Sequence, residues 1–471
     1  WAGRSNQYSP PETGPARRGR HRPTPDIPLT ILGNRVTLGK HTEAVWGEDC
    51  RGPSVKGDCP AVLSTACLLG IGCSVSFELR PVPSFFYTKP RPPMSNPLVE
   101  LQHFGQSVWY DNIRRGLIMS GELKRLIEAD GILGLTSNPA IFEKAISGSE
   151  DYAGALSALA VSGRSALEIY EQIAVEDIQW AADLLLPVYE ASAGGDGFVS
   201  LEVSPRLADD TEATVDEGLR LAGLVGRRNL MIKVPGTDAG LPAITQLIGE
   251  GVNVNVTLLF SRANYEQVAQ AYIDGVEALL ANGGSAAEIA SVASFFISRI
   301  DTLADEVITA RIGAADRASD RLALRHLLGK IAVANARLAY ASYKQIYATS
   351  RWQTLAAAGA RPQRLLWAST STKNPEYRDV LYVEELIGPD TVNTMPEATV
   401  EAFRDHGVAA ATLEEGLDEA RDVMNGLEEL GISMDEITDK LQRDAVRLFV
   451  EPFDSLLAAI EAQREAVPKR A

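Results

Sequence analysis

Three residues are equipped for acid–base and nucleophilic work: Lys233, Glu202 and Asp111. Each lies in or at the end of a short apolar run. Lys233 sits in Met231-Ile232-Lys233-Val234, where apolar neighbours strip it of water. Desolvation disfavours an ammonium ion and favours the free amine. Such an amine attacks a ketone and forms an imine, which then draws electrons from an adjacent carbon–carbon bond. Glu202 can move protons while the carbinolamine dehydrates, through a water held by Thr257. Asp111 can take the proton of the substrate hydroxyl whose loss drives bond cleavage. Asn138 and Asn255 suit hydrogen bonds to sugar hydroxyls, and Ser294 faces the same way. A purely structural ion pair between Lys233 and either carboxylate is the plainer alternative, but buried pairs stabilise weakly and gather at functional sites.

These residues need elements that aim them at one point. From about residue 100 onward, short apolar runs alternate with stretches of helical period, a rhythm that implies a parallel sheet, open or closed. Strands are predicted at 106–111, 131–138, 197–203, 229–234, 252–257, 291–296, 364–369 and 391–395. Eight is the number a (β/α)8 TIM barrel requires. Long helices are predicted at 165–193, 261–281 and 321–349, and the chain reads as helical after Thr399, with Leu427, Leu430, Leu441, Val446 and Leu448 among its apolar positions. A buried parallel strand should be almost wholly aliphatic. Val252-Asn253-Val254-Asn255-Val256-Thr257 instead alternates strictly, so the valines meet the helices while Asn253, Asn255 and Thr257 point inward. The same parity turns Ser107, Trp109 and Asp111 inward, then Thr136 with Asn138, Ser200 with Glu202, Met231 with Lys233, and Ser294 with Phe296. The polar members lie toward the carboxyl ends of their strands, the rim where barrel enzymes place their chemistry.

Composition narrows the classes. Hydrophobic residues make up 45% and charged residues 23% of the chain, ordinary for a protein with a full core. The net charge of −17 argues against nucleic acid and anionic membranes as partners. No apolar run is long enough to span a bilayer. His103, His326 and His406 are the only histidines beyond residue 93 and lie far apart, so no metal is expected. Neither a phosphate-binding GxxxxGK[ST] loop nor a dinucleotide glycine fingerprint is present, and no cofactor is expected.

Residues 1–93 differ in character. They hold 13 of the 25 prolines, all four cysteines (Cys50, Cys59, Cys67, Cys73), and a net charge of +5. Without sustained periodicity they are expected to be disordered or poorly packed, upstream sequence foreign to the enzyme in 94–471. Organelle targeting is the alternative, disfavoured by seven acidic residues and the cysteines. A cytoplasmic protein, monomer or homodimer, is expected.

Several segments carry a family resemblance: Gly134-Leu135-Thr136-Ser137-Asn138-Pro139, Met231-Ile232-Lys233-Val234-Pro235-Gly236-Thr237, and Asn255-Val256-Thr257-Leu258-Leu259-Phe260-Ser261. The stretches Leu365-Leu366-Trp367-Ala368-Ser369-Thr370-Ser371-Thr372-Lys373-Asn374 and Asp390-Thr391-Val392-Asn393-Thr394 extend it. In this order they resemble the longer bacterial-type transaldolases, from about Asn96 to the C-terminal region. The resemblance implies transfer of a dihydroxyacetone unit from sedoheptulose 7-phosphate or fructose 6-phosphate to an aldose phosphate, in the pentose phosphate pathway. It makes Lys233 the Schiff-base lysine, Asp111 the acid/base, and Glu202 with Thr257 the handlers of the catalytic water. Asn138, Asn255 and Ser294 would hold the dihydroxyacetone part, and Arg299 and Lys373 the phosphate of sugar phosphates. Lys373 stands where shorter members carry Arg, exchanging a bidentate fork for a point charge. Phe296 resembles the transaldolases rather than the fructose 6-phosphate aldolases, which place Tyr there. Phe295 follows Ser294 where many members have Pro, and 312–320 reads as an added connection on the outer ring. Three other readings stay open: a free aldolase of the fructose 6-phosphate type, a silent sugar-phosphate-binding barrel, and an isomerase with Glu202 as base.

Overall fold

The computed structural model describes residues 96–466; the expectations for residues 1–93 fall outside them. Eight parallel strands close into one barrel: β1 (Gln106–Asp111), β2 (Gly134–Thr136), β3 (Phe198–Glu202), β4 (Leu230–Pro235), β5 (Val254–Leu259), β6 (Ser291–Phe296), β7 (Arg364–Ala368) and β8 (Thr391–Met395). Each pairs with the next, and β1 pairs with β8, so the sheet has no free edge. The fold is the predicted (β/α)8 barrel with extra helices.

Inward parity follows the alternation. Trp109 fills the interior against Phe198, ring centroids 6.2 Å apart. Gly134, its neighbour on β2, has no Cβ because that atom would stand 2.5 Å from the indole. At the amino end of the barrel Asp196 accepts hydrogen bonds from Ser107 Oγ (2.8 Å), Trp109 Nε1 (2.9 Å) and Arg364 Nη2 (3.0 Å), a charged plug that closes the floor. The valines of β5 are buried on the outer face against the helices.

Four expectations need correction. The second strand spans only Gly134–Thr136, not 131–138, because Gly131 ends the preceding helix and Asn138 caps the next. The fifth strand runs from Val254 to Leu259, not 252–257. Val252 N donates to Leu247 O in the preceding turn, and the Asn253 amide donates to Arg228 O and Leu230 O and accepts from Ala290 N. At its far end β5 continues through a bulge, where buried Leu258 takes a φ of +62°. The helix predicted at 321–349 is two, Ala318–Leu327 and Ile331–Tyr347, broken at Gly329 with φ +70°. The outer connection is only residues 315–317, because the helix Ser298–Ala314 runs further than expected. Phe295 breaks nothing: it is a buried β6 residue, edge-on to Trp367 at 6.2 Å.

The C-terminal helix Met434–Ala466 packs against the helices Pro139–Gly148 and Ala166–Ala191 and against β5. Its buried stripe is Ala445, Phe449, Phe453, Leu456 and Ile460, at helical spacing. Leu448, beside it in sequence, is 43% exposed.

Candidate active site

Register brings the charged residues side by side. Glu202 pairs with Lys233 across β3 and β4, and Lys233 with Asn255 across β4 and β5. Lys233 is 5% exposed, and its Nζ stands 3.3 Å from Glu202 Oε2 and donates to Ser137 O at 3.1 Å. The ring of Phe449 lies over the amine, centroid 5.7 Å away. The C-terminal helix thus roofs the lysine, a cation–π contact that also excludes water. Sequence reasoning did not single out Phe449. The helical stripe could have marked it as buried, but not what it covers.

Burial pushes the Glu202 carboxyl up to about 7 against the opposing pull of Lys233. Among the described residues Glu202 Oε2 meets only Lys233, while Glu202 Oε1 and Thr257 Oγ1 have no hydrogen-bond partner, so two buried oxygens are left for a reacting oxygen or a water. Glu202 borders a small cavity beside Tyr170, Glu217 and Phe453 and does not itself line the larger one that takes in Lys233 and Asp111. Thr257 directly precedes the strained Leu258, whose carbonyl lies 3.5 Å from Gln442 Nε2 of the C-terminal helix.

Asp111, at the end of β1, accepts from Thr136 Oγ1 at 2.7 Å. Thr136 Oγ1 also meets Thr394 Oγ1 at 2.7 Å. Burial raises the Asp111 carboxyl, opposed by Lys233 and by the Thr136 hydrogen bond. Thr136 and Thr394 line the larger cavity with Asp111 and Lys233, and inward parity at a strand end was the signal that could have added them to the site.

That cavity encloses about 730 Å³ including its mouth, and Asp111, Asn138, Lys233, Thr257, Ser294, Phe296, Arg299 and Lys373 all face it. Asn138 serves twice, since its side-chain oxygen also caps the helix Pro139–Gly148 through Ile141 N. Asn255 does not line the cavity. Its amide donates to Ser200 Oγ (3.0 Å) and its oxygen accepts from Ser294 Oγ (2.7 Å), so it holds Ser294 in place from below.

Arg299 begins the helix Ser298–Ala314, its guanidinium 5.6 Å from the Phe296 ring centroid, and Phe296 packs on Phe260 at 5.1 Å. Lys373 donates to Ser371 Oγ at 2.6 Å. Burial, then the nearby Arg299, pull the Lys373 ammonium below its usual value, and burial lowers Arg299. Neither cation has a carboxylate ion-pair partner among the described residues. Two cations without ion-pair partners share one pocket, with Asp111 acting on Lys373 across it, an arrangement suited to an anion.

A closed parallel barrel that gathers a buried lysine, two carboxylates and an anion site at its carboxyl rim is a class I, Schiff-base type of enzyme. The comparisons give the family. The model described as transaldolase/fructose-6-phosphate aldolase matches residues 108–460. A transaldolase of Trichodesmium erythraeum is 47% identical over 370 residues, covering 78% of this chain and 97% of that one. "Transaldolase 2" of a Nostoc species is 50% identical over 371 residues, 78% of this chain and 97% of its own. The transaldolase of Acidothermus cellulolyticus is 48% identical over 373 residues, 79% and 98% of the two chains. The chain belongs to the transaldolase/fructose-6-phosphate aldolase family.

No helix among the described residues is long and apolar enough to cross a membrane.

Proposed function

We propose that the protein is a transaldolase, moving a three-carbon dihydroxyacetone unit from a ketose phosphate, sedoheptulose 7-phosphate or fructose 6-phosphate, to an aldose phosphate in the pentose phosphate pathway. The observation that carries this reading is the Lys233 amine 3.3 Å from a carboxyl poised near neutrality, inside a cavity that also holds Asp111 and two unpaired cations.

The Lys233 amine adds to the ketose carbonyl. Glu202, working with a water bound at Thr257, gives a proton to the departing hydroxyl as the iminium forms. Asp111 then removes the proton of the hydroxyl on the fourth carbon. The bond between the third and fourth carbons breaks, its electrons pass into the iminium to form an enamine, and the shortened aldose leaves. The acceptor aldehyde enters, the third carbon of the enamine bonds to its carbonyl carbon and the iminium re-forms, Asp111 returns its proton to the new hydroxyl, and water adds to the iminium to release the ketose and free the amine. Asn138 and Ser294, the latter steadied by Asn255, hold the hydroxyls of the retained unit. Arg299 and Lys373 hold the phosphate.

Retention of the enamine until an acceptor arrives separates this reading from a free aldolase. Phe296 supports it, since its ring presents no hydroxyl to deliver a proton or activate water against the enamine. Turnover of fructose 6-phosphate is expected to require erythrose 4-phosphate; equal carbon release without acceptor would sink the transferase reading. Arg299→Ala is expected to raise KM for phosphorylated substrates about tenfold or more while changing kcat little, because a phosphate held equally in ground and transition states contributes uniform binding. Steady-state kinetics with each phosphorylated substrate checks this.

We also propose a cytoplasmic location, supported by the chemistry: phosphate esters are anionic and do not cross a bilayer unaided, so their consumer works where they are made.

A further inference from the structure

The two cations of the anion site come from different elements. Arg299 is on the helix Ser298–Ala314, while Lys373 is on the loop between β7 and the helix Leu381–Glu384. Much of that loop's bonding is internal. Thr372 Oγ1 donates to Arg378 O at 2.8 Å, Tyr377 N to Asn374 O at 3.1 Å, and Glu376 N to Asn374 Oδ1 at 3.0 Å. These bonds stiffen the loop without tying it to the Arg299 helix.

At its start the loop is bonded to this helix through Ser369, whose carbonyl accepts from Ser298 N at 3.0 Å and whose hydroxyl lies 3.0 Å from that of Ser298; beyond Lys373 the tie is made by two aspartates of the helix, four residues apart and so on one face. Asp305 Oδ2 accepts from the Tyr377 hydroxyl at 2.6 Å, and its Oδ1 accepts from Gly329 N at 3.0 Å. Asp301 Oδ2 accepts from the Tyr382 hydroxyl at 2.9 Å, and its Oδ1 from Ala332 N at 2.7 Å. The first junction is built closely. Gly329 takes φ +70°, and a Cβ there would stand 2.8 Å from the Tyr377 ring. None of these four side chains borders the cavity, and the proposed chemistry uses none of them.

A lysine on a flexible four-carbon stem, unlike a planar guanidinium, depends on its backbone for its place. Beside Arg299 it also feels repulsion that pushes the two elements apart. We propose that Tyr377 and Asp305, backed by Tyr382 and Asp301, are positioning residues of the anion site: they hold the Lys373 loop against the Arg299 helix, fix the spacing of the two cations, and thereby set the preference for phosphorylated over unphosphorylated sugars. This rests on the reading of Arg299 and Lys373 as the phosphate site.

The test is borohydride trapping of Lys233, which needs no acceptor, measured against concentration for fructose 6-phosphate and for fructose. It is run on the full chain and on Tyr377→Phe, Asp305→Asn and Lys373→Ala. Tyr377→Phe keeps the ring on Gly329, and Asp305→Asn keeps an acceptor for Gly329 N. Both are expected to raise the half-saturating concentration of fructose 6-phosphate about five- to tenfold, with the limiting rate and the fructose curve unchanged. Lys373→Ala is expected to raise it at least as far. If Lys373→Ala keeps the wild-type preference for the phosphorylated sugar, the phosphate reading fails and this inference with it. If Lys373→Ala loses the preference while both tether variants keep it, the inference alone is overturned. It is equally overturned if the tether variants weaken both sugars alike, since the contacts then serve only the fold.

Discussion

Lys233→Ala is expected to lower kcat/KM on the order of 10⁴-fold or more while leaving a folded barrel, because among the described residues Lys373 is the one other amine on the cavity wall. Lys373 lines the same cavity, but it bonds Ser371 at the rim and lacks a carboxylate within ion-pair distance to manage its proton. Removing one partner of a buried ion pair usually destabilises strongly, since the other charge stays buried. Here the partner has an escape. The Glu202 carboxyl already sits at about 7 with Lys233 present, and without that cation it takes up a proton instead of remaining a lone anion. The loss of stability is therefore expected to be about 2 kcal/mol, mostly from the missing stem. Borohydride reduction with fructose 6-phosphate should add to the Lys233 peptide of the parent the mass of the retained three-carbon unit, or of the whole sugar where it is caught before cleavage, and should modify no peptide of the variant. An unmodified parent peptide would leave an isomerase with Glu202 as base as the better account.

The second large effect belongs to Glu202→Gln. The amide keeps the shape of the side chain but can neither give nor take a proton, and imine formation is expected to slow by about 10²- to 10³-fold. Its pH dependence is the more specific signature. Burial raises this carboxyl, so below about pH 7 the acid form predominates and can protonate the departing hydroxyl, while above it the carboxylate predominates and can accept a proton. The parent's rate of imine formation, followed by trapping in single turnovers, should bend near pH 7, and the bend should vanish in the variant. A bend that survives Glu202→Gln would assign it to Asp111, whose carboxyl is also raised by burial. Cleavage itself, started from preformed imine, should be much less affected because Asp111 carries that proton.

Much of this site was legible before any fold was known. Strict alternation in Val254-Asn255-Val256-Thr257, and the same parity in the strands that carry Asp111, Glu202 and Lys233, assigns each polar side chain to one face, and closure of the eight strands makes that face the interior of a barrel. What local alternation could not carry was distance across the chain. Phe449 reaches Lys233 from 216 positions away, and its neighbour Leu448, equally apolar, faces solvent. Helical period predicts a stripe but not the surface it meets. Asn255 shows the same limit on a smaller scale: parity turned it inward, yet Ser200 and Ser294 occupy its amide a layer beneath the cavity.

The shared inward face of the candidate residues was thus legible from residue type and period, since both are properties of neighbours along the strand, whereas closure of the sheet through β1 and β8 was not. Tertiary structure decided the rest: which helix roofs the amine, how far burial lifts Glu202 toward neutrality, and that Arg299 and Lys373 meet across a joint of tyrosines and aspartates. Those depend on desolvation and on contacts between segments remote in sequence, which exist only once the chain has closed around them.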